Sequence, residues 1–178
     1  MLSPAAVTAA SGPPALLAAE NLQFLTFSLE GELFAVAIEH IREIIEFNGL
    51  TAIPLMPAFL RGVINLRGAV VPVIDLAARF GREGTTIGRR TCVVILEVEL
   101  AQRMLPIGVL VDTVNEVLTA ERQQIEPRPQ FGARLRAEFI VGMLNQDERF
   151  VIVLDIQQVL SVQEMSDLIG LSVDAHTG

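Results

Sequence analysis

Two histidines, His40 and His176, and one cysteine, Cys92, are all the imidazole and thiol the chain offers. Zinc sites draw mostly on sets of Cys and His, and one internal His with one Cys cannot supply such a set. A Ser–His–acid triad fails too, because His40 has no obvious nucleophile partner. His40 lies between Glu39 and Ile41 and reads as an exposed surface histidine; His176 lies in the terminal tail. Cys92, in the apolar run 91–96, reads as a small buried residue. A lone cysteine allows no internal disulfide, which fits a reducing compartment. The segment Gly81-Arg82-Glu83-Gly84-Thr85-Thr86-Ile87-Gly88-Arg89-Arg90 has the residue types that cradle phosphate. It lacks the G-x-x-x-x-G-K-[ST] spacing, and the chain contains no lysine, so it reads as a flexible joint. Asp75 and Asp155 could do acid–base work as a pair. They fall instead at equivalent points of a repeat, each expected to cap its own turn. No catalytic residue, metal or cofactor is expected, and the reading is non-enzymatic, because catalysis must rest on a site.

Charge narrows the partners. The net charge is −8 and every basic residue is Arg. Such a chain has no broad basic surface for a phosphate backbone, so nucleic acid is not expected as a partner. From Glu20 to Glu46 six acids stand against Arg42 alone, while from Arg61 to Arg90 six Arg stand against Asp75 and Glu83. These runs read as solvated strand ends and loops, or as two patches of opposite sign that orient partners. No apolar run approaches the roughly 20 residues of a membrane-spanning helix. Residues 1–20, rich in Ala, Pro and Ser and without a basic start, read as a disordered leader rather than a targeting signal. A soluble, cytoplasmic protein is expected.

The elements that would position any site come from a duplication. At an offset of 73, Phe34, Val36, Ile38, Ile41, Ile44 and Ile45 fall on Ile107, Val109, Val111, Val114, Val117 and Leu118, and Glu39 and Glu43 on Asp112 and Glu116. At an offset of 80, Phe59, Gly62, Asn65 and Asp75 fall on Phe139, Gly142, Asn145 and Asp155. Each copy opens with a hairpin signal: 24–29 with 33–38, and 91–98 with 105–111, the second around a long turn at 99–103. Leu25, Phe27 and Leu29 share one strand face. Single helical turns are expected at 39–42 and 112–115, then strands at 43–46 and 116–119, and closing strands at 61–66, 69–76, 139–144 and 149–156. Pro72, inside 69–76, predicts an edge or a bulge there.

About five short strands per copy favour small closed barrels, since closure removes exposed edges. The expected fold class is all-β with short helices. The expected organisation is a leader at 1–20, a domain at 21–171 and a tail at 172–178. Within the domain the first barrel spans about 22–86, the second about 90–160, and an amphipathic helix covers 161–171, where Val162, Met165, Leu168 and Ile169 have helical spacing.

The most distinctive run is Gly62-Val63-Ile64-Asn65-Leu66-Arg67-Gly68-Ala69-Val70-Val71-Pro72-Val73-Ile74-Asp75-Leu76. Asn65 to Gly68 reads as a tight turn displaying Arg67. This run resembles the Asn-Leu-Arg-Gly segment of the CheW family, the adaptor proteins of bacterial chemosensory arrays. Phe24-Leu25-Thr26-Phe27, the run from Ile107 to Asp112, and Phe139 to Gly142 also match, so the resemblance covers about 22–161. It implies two SH3-like five-stranded β-barrels in a pseudo-repeat. It is similar, too, to the regulatory domain of CheA kinases and to the first part of CheV proteins. This chain has no kinase, phosphotransfer or receiver segment, so a stand-alone adaptor fits.

The resemblance implies a scaffold that couples the cytoplasmic tip of chemoreceptors (methyl-accepting chemotaxis proteins) to the regulatory domain of a CheA-type histidine kinase, at the inner face of the membrane without inserting into it. Receptor contact in the family involves a hydrophobic groove between barrels and the first-barrel surface. Carried onto this sequence, the receptor-binding candidates are Ile41, Glu43, Gly62, Asn65 and Arg67. Arg67 suits bidentate bonding, and Ile41 suits the apolar part of a helix-in-groove contact. Ordinary strand alternation accounts equally for Ile41 and Glu43, and a plain solvated turn for Arg67. Kinase contact is expected on another surface, as barrel-to-barrel packing, with no residues assigned. The alternatives are a barrel module for single-stranded nucleic acid or a small ligand, and an adaptor of a related chemosensory pathway such as twitching motility.

Overall fold

Turn chemistry sets the hairpins. In the computed structural model, which describes residues 21–100, 102–127, 135–161 and 164, three turns carry two successive residues of positive φ: Glu30–Gly31, Arg67–Gly68 and Asp147–Glu148. This is the two-residue geometry whose twist matches that of the strands it joins. The strands are β1 (Asn21–Leu29), β2 (Glu32–Ala37), β3 (Ile41–Glu46), β4 (Leu60–Leu66), β5 (Ala69–Asp75), β6 (Cys92–Leu100), β7 (Arg103–Val111), β8 (Thr113–Glu121), β9 (Ile140–Gln146) and β10 (Arg149–Leu154). Two single-turn helices, α1 (Leu76–Arg79) and α2 (Ile156–Val159), follow β5 and β10. Asp75 and Asp155 cap them by accepting from Ala78 N and Gln158 N, as the sequence predicts.

The fold is all-β with short helices, built of two five-stranded sheets. Their strand orders are β9-β10-β2-β1-β8 and β4-β5-β7-β6-β3, and each strand of one sheet has its repeat equivalent at the same place in the other. The chain-contiguous partition at 22–86 and 90–160 is therefore corrected: the hairpins are exchanged. Hairpin β1–β2 joins the closing strands of the second copy, and β6–β7 those of the first. Parallel pairing makes the exchange, Val151↔Leu33 to Val153↔Ala35 and Val73↔Gly108 to Asp75↔Leu110. Hydrophobic alternation records which face of a strand is buried, and that face is the same whichever copy supplies the neighbour.

Three local expectations change. Pro72 is on neither an edge nor a bulge, since β5 lies between β4 and β7. Its partner Val63 sends both its N–H and its C=O to Thr51, at 2.8 and 2.9 Å. The missing Pro72 N–H therefore costs no ladder bond there, and pairing with β7 starts only at Val73. The turn at 99–103 is tight, because β6 and β7 stay paired out to Leu100↔Arg103. A 3₁₀ turn occupies Ile38–His40, but no helical turn stands at 112–115, where β8 begins at Thr113. The leader, the tail and almost all of the 161–171 segment lie outside the described residues.

Each sheet has a small interior cluster, Phe24, Ala35, Ala120, Leu144, Val151 and Val153 in one and Val71, Val73, Val93, Ile95 and Leu110 in the other. The largest cluster unites residues of both sheets and includes Leu25, Phe27 and Leu29. Rings of Phe27, Phe34, Phe80 and Phe139 run through it at successive centroid separations of 6.0, 5.5 and 6.0 Å, each pair adding to the area burial. Arg79 is buried beside these rings, its guanidinium 4.8 Å from the Phe139 centroid. Burial pushes the Arg79 pKa down, and nearby Glu164, at 3.4 Å, opposes this. Among the described residues no helix is long and apolar enough to cross a membrane.

Candidate partner-binding site

Three of the five candidate residues, Glu43, Asn65 and Arg67, come together where the two ends of the second sheet meet, and an ion pair spans that seam. Arg67 donates from Nη1 to Glu43 Oε2 at 2.6 Å and from Nη2 to Glu43 Oε1 at 2.9 Å. Glu43 is on β3 and Arg67 in the β4–β5 turn, and β3 and β4 stand at opposite ends of the strand order. The pair therefore joins the two ends, so the sheet is curled on itself as a closed barrel requires. The second copy makes the same closure with different chemistry: Gln146 donates to Glu116, and Asp147 occupies the position of Arg67.

Turn geometry displays the arginine. Arg67 has φ of 53° and Gly68 of 87°. Asn65 Oδ1 accepts from Gly68 N at 2.9 Å, fixing the turn. The Arg67 side chain is 69% exposed against 22% for Glu43. Bonding to Arg67 holds the Glu43 carboxyl below the ordinary carboxylate range, and the same bond raises the Arg67 pKa.

Gly62 is buried and presents nothing to a partner. It sits at a register shift in β4, with φ of 154°, where a Cβ would collide with the Thr51 carbonyl. Its role is to let the 47–59 connector lie against β4, by the paired bonds of Thr51 and Val63. Gly142 does the same beside Glu126. Gly62 thus positions the turn that carries Arg67.

Ile41 is half-buried, opposite Leu96 and packed on the large cluster. Burial along β3 alternates, with Ile41, Glu43 and Ile45 half-buried and Arg42, Ile44 and Glu46 exposed. The exposed apolar residue next to Glu43 is Ile44, 43% exposed, and its repeat equivalent Val117 is 47% exposed. Residue composition pairs Ile44 with Val117 as strand positions but does not mark their exposure, because Ile44 and Ile45 are adjacent and equally apolar, so residue type alone does not say which of the two faces outward. His40 is half-buried as the last residue of the 3₁₀ turn, and among the described residues no group of three His, Cys, Asp or Glu could hold a metal.

The profile of the CheW-like domain family matches residues 23–164. The chain is 37% identical over 144 residues to the chemotaxis protein CheW of Klebsiella aerogenes, covering 81% of this chain and 84% of that one. It is 35% identical over 142 residues to the probable chemotaxis protein CheW of Rhizobium etli, covering 80% and 89%. The crystal structure of the scaffolding protein TtCheW from Thermoanaerobacter tengcongensis superposes with a TM-score of 0.69 at 30% identity, covering 78% of this chain and 86% of that one. The duplication, the exchanged hairpins and the Asn65–Gly68 turn are therefore features of a chain that belongs to the CheW-like family.

Proposed function

We propose that this chain is a non-catalytic adaptor of chemotaxis signalling that holds a chemoreceptor's cytoplasmic tip and the regulatory domain of a CheA-type histidine kinase in one complex. The family carries the adaptor role, and a scaffolding protein is among its solved members. The receptor-facing surface is assigned to Arg67, Glu43 and Asn65 with the exposed Ile44, held in place by Gly62 and Ile41. One observation supports that assignment best: an arginine on a rigid turn, 69% exposed, already oriented by a bidentate carboxylate. A guanidinium so held keeps donors free for a second acceptor, and Ile44 beside it offers apolar contact to a helix. Work at the inner face of the membrane follows from the receptor partner. The test is co-precipitation with a soluble receptor-tip fragment: Arg67→Ala is expected to weaken capture about tenfold with an unchanged melting temperature, and normal capture would refute the assignment.

A further inference from the structure

The connector leaving β3 crosses back onto β4, its counterpart leaving β8 crosses onto β9, and the first crossing uses less chain. Phe47 and Ala120 are repeat equivalents at the start of the two crossings. Phe47 N donates to Thr91 O at 3.2 Å, which ties one end of the first. Thr51 ties the other end, exchanging both backbone bonds with Val63, and Glu126 does the same with Met143 in the second copy. The first crossing therefore closes at the fourth residue after Phe47 and the second at the sixth after Ala120. The longer one has room for a 3₁₀ turn, Arg122–Gln124, with a capping box from Glu121. The shorter one turns at Gly49, with φ of 96°. Side chains rarely adopt that conformation, so the position calls for glycine. The residue ahead of it is Asn48.

An asparagine followed by glycine is the pair in which the main chain attacks its own side chain most readily. Gly49 N attacks Asn48 Cγ, the Cγ–Nδ2 bond breaks, and ammonia leaves with the Gly49 amide proton. The product is a succinimide ring. Water then opens it at either carbonyl. Cleavage at Cγ gives aspartate, and cleavage at the main-chain carbonyl carbon gives isoaspartate, in which the chain runs on through Cγ. A β-carbon on the following residue shields the attacking nitrogen, and a ladder hydrogen bond occupies it. Asn48 and Gly49 lie outside the strands and are exposed. A Cβ on Gly49 would meet nothing within 4 Å. With Glu46 and Asn65 they line an open cleft of about 780 Å³, through which water reaches them. The other asparagines are strand residues followed by larger ones: Asn21 by Leu22, Asn65 by Leu66, Asn115 by Glu116 and Asn145 by Gln146. The side chains of Asn65 and Asn115 are also held, by Gly68 N and Ser28 Oγ.

We infer that Asn48–Gly49 is a site of spontaneous deamidation, and that its isoaspartyl product releases the connector from β4. Isoaspartate inserts one extra main-chain atom between Phe47 and Thr51, two residues that are both tied. The bonds nearest the insertion are the pair between Thr51 and Val63, at 2.9 and 2.8 Å. They hold the connector so close to Gly62 that a Cβ there would collide with Thr51, so added length is taken up by their opening. Aspartate adds a charge beside the exposed Glu46 and no length. The chemistry belongs to the connector and stands whether or not Arg67 meets a receptor.

The full chain is aged at mildly alkaline pH in heavy-oxygen water, then digested with trypsin in ordinary water and weighed by mass spectrometry. Cleavage after Arg42, Arg61 and Arg67 puts Asn48 in the peptide 43–61 and Asn65 in the peptide 62–67. Label is expected to enter 43–61 about tenfold faster than 62–67, because a strand residue must first open. Its rate should be close to that of the free synthetic peptide 43–61. Isoaspartate in the aged chain is read by labelled methyl transfer from an isoaspartyl methyltransferase. Hydrogen exchange at the Thr51 and Val63 amides should quicken about tenfold in the isoaspartyl chain. It should stay unchanged in Asn48→Asp, which has the charge without the extra atom. Labelling of 43–61 no faster than of 62–67, or far slower in the folded chain than in the free peptide, would overturn the site. Unchanged exchange in the isoaspartyl chain, or equal quickening in Asn48→Asp, would overturn the release.

Discussion

Arg79 and Val159 occupy the same position in the two copies, and Arg79 Nε donates to the Val159 carbonyl at 2.7 Å. The duplication is thus fastened at its centre by one residue reaching its own counterpart. Burial of the guanidinium is unfavourable by itself, and the rings of Phe139 and Phe59 with the carboxylate of Glu164 offset it. Arg79→Leu leaves the Val159 carbonyl without its donor, at a cost of about 2 kcal/mol. Urea unfolding should show a lower midpoint at unchanged slope. Arg79→Lys should recover only part, because an ammonium lacks the planar fork. Unchanged stability in Arg79→Leu would mean the bond contributes nothing.

The buried Asp75 and the half-buried Asp155 should respond differently to the same change. Asp75→Asn removes a fully buried carboxylate from Arg61 and should cost about 3 kcal/mol. Asp155→Asn keeps the helix cap at an aspartate that is only half-buried, so its cost should stay within about 0.5 kcal/mol. Chemical denaturation of both variants reads the difference directly, and equal costs would contradict the asymmetry of the two aspartates.

Close backbone approach makes Gly62 and Gly142 irreplaceable. A Cβ at Gly142 would stand 2.6 Å from the Glu126 carbonyl oxygen, and one at Gly62 would meet Thr51 even more closely. Alanine at either position should cost at least about 2 kcal/mol by forcing the connector off the strand. Gly88, whose nearest neighbour lies at 3.9 Å, should accept alanine with little change and serves as the control. Gly62→Ala should also weaken receptor capture, through the displaced turn rather than a lost contact.

The Glu43–Arg67 pair makes a pH prediction of definite sign. The pair lowers the folded-state pKa of Glu43, so its contribution is present above the unfolded value, about 4.3 for glutamate, and is lost as pH falls through the lowered folded value. Carboxyl-carbon NMR should give Glu43 a midpoint below the ordinary glutamate value, rising toward that value in Arg67→Ala. A midpoint that does not move would show the pair to be open in solution.

Much of this was legible in the residues. Alternation and the repeat of Gly62, Asn65 and Asp75 as Gly142, Asn145 and Asp155 announced the strands, the duplication and the helix caps. The exchange of hairpins was not legible, because β2 and β7 present the same apolar pattern and so suit either parallel partner. Glu43 and Arg67 each stood out, but their pairing depends on two strands that meet only when the sheet curls. Arg79 carried a signal that went unused: an arginine in the run Leu76-Ala77-Ala78-Arg79-Phe80, matched in the other copy by Val159. A charge standing where its repeat equivalent is apolar marks a place where the copies meet or differ in partner. Arg61 against Val141 is the same signal.

The central claim is that one chain holds receptor and kinase at once. Size-exclusion chromatography of the full chain with a soluble receptor-tip fragment and a CheA-type regulatory domain tests it most directly. The account predicts a single complex containing all three, from which Arg67→Ala loses the receptor fragment and keeps the kinase domain. Mutually exclusive binding of the two partners, or a three-part complex indifferent to Arg67, would contradict it.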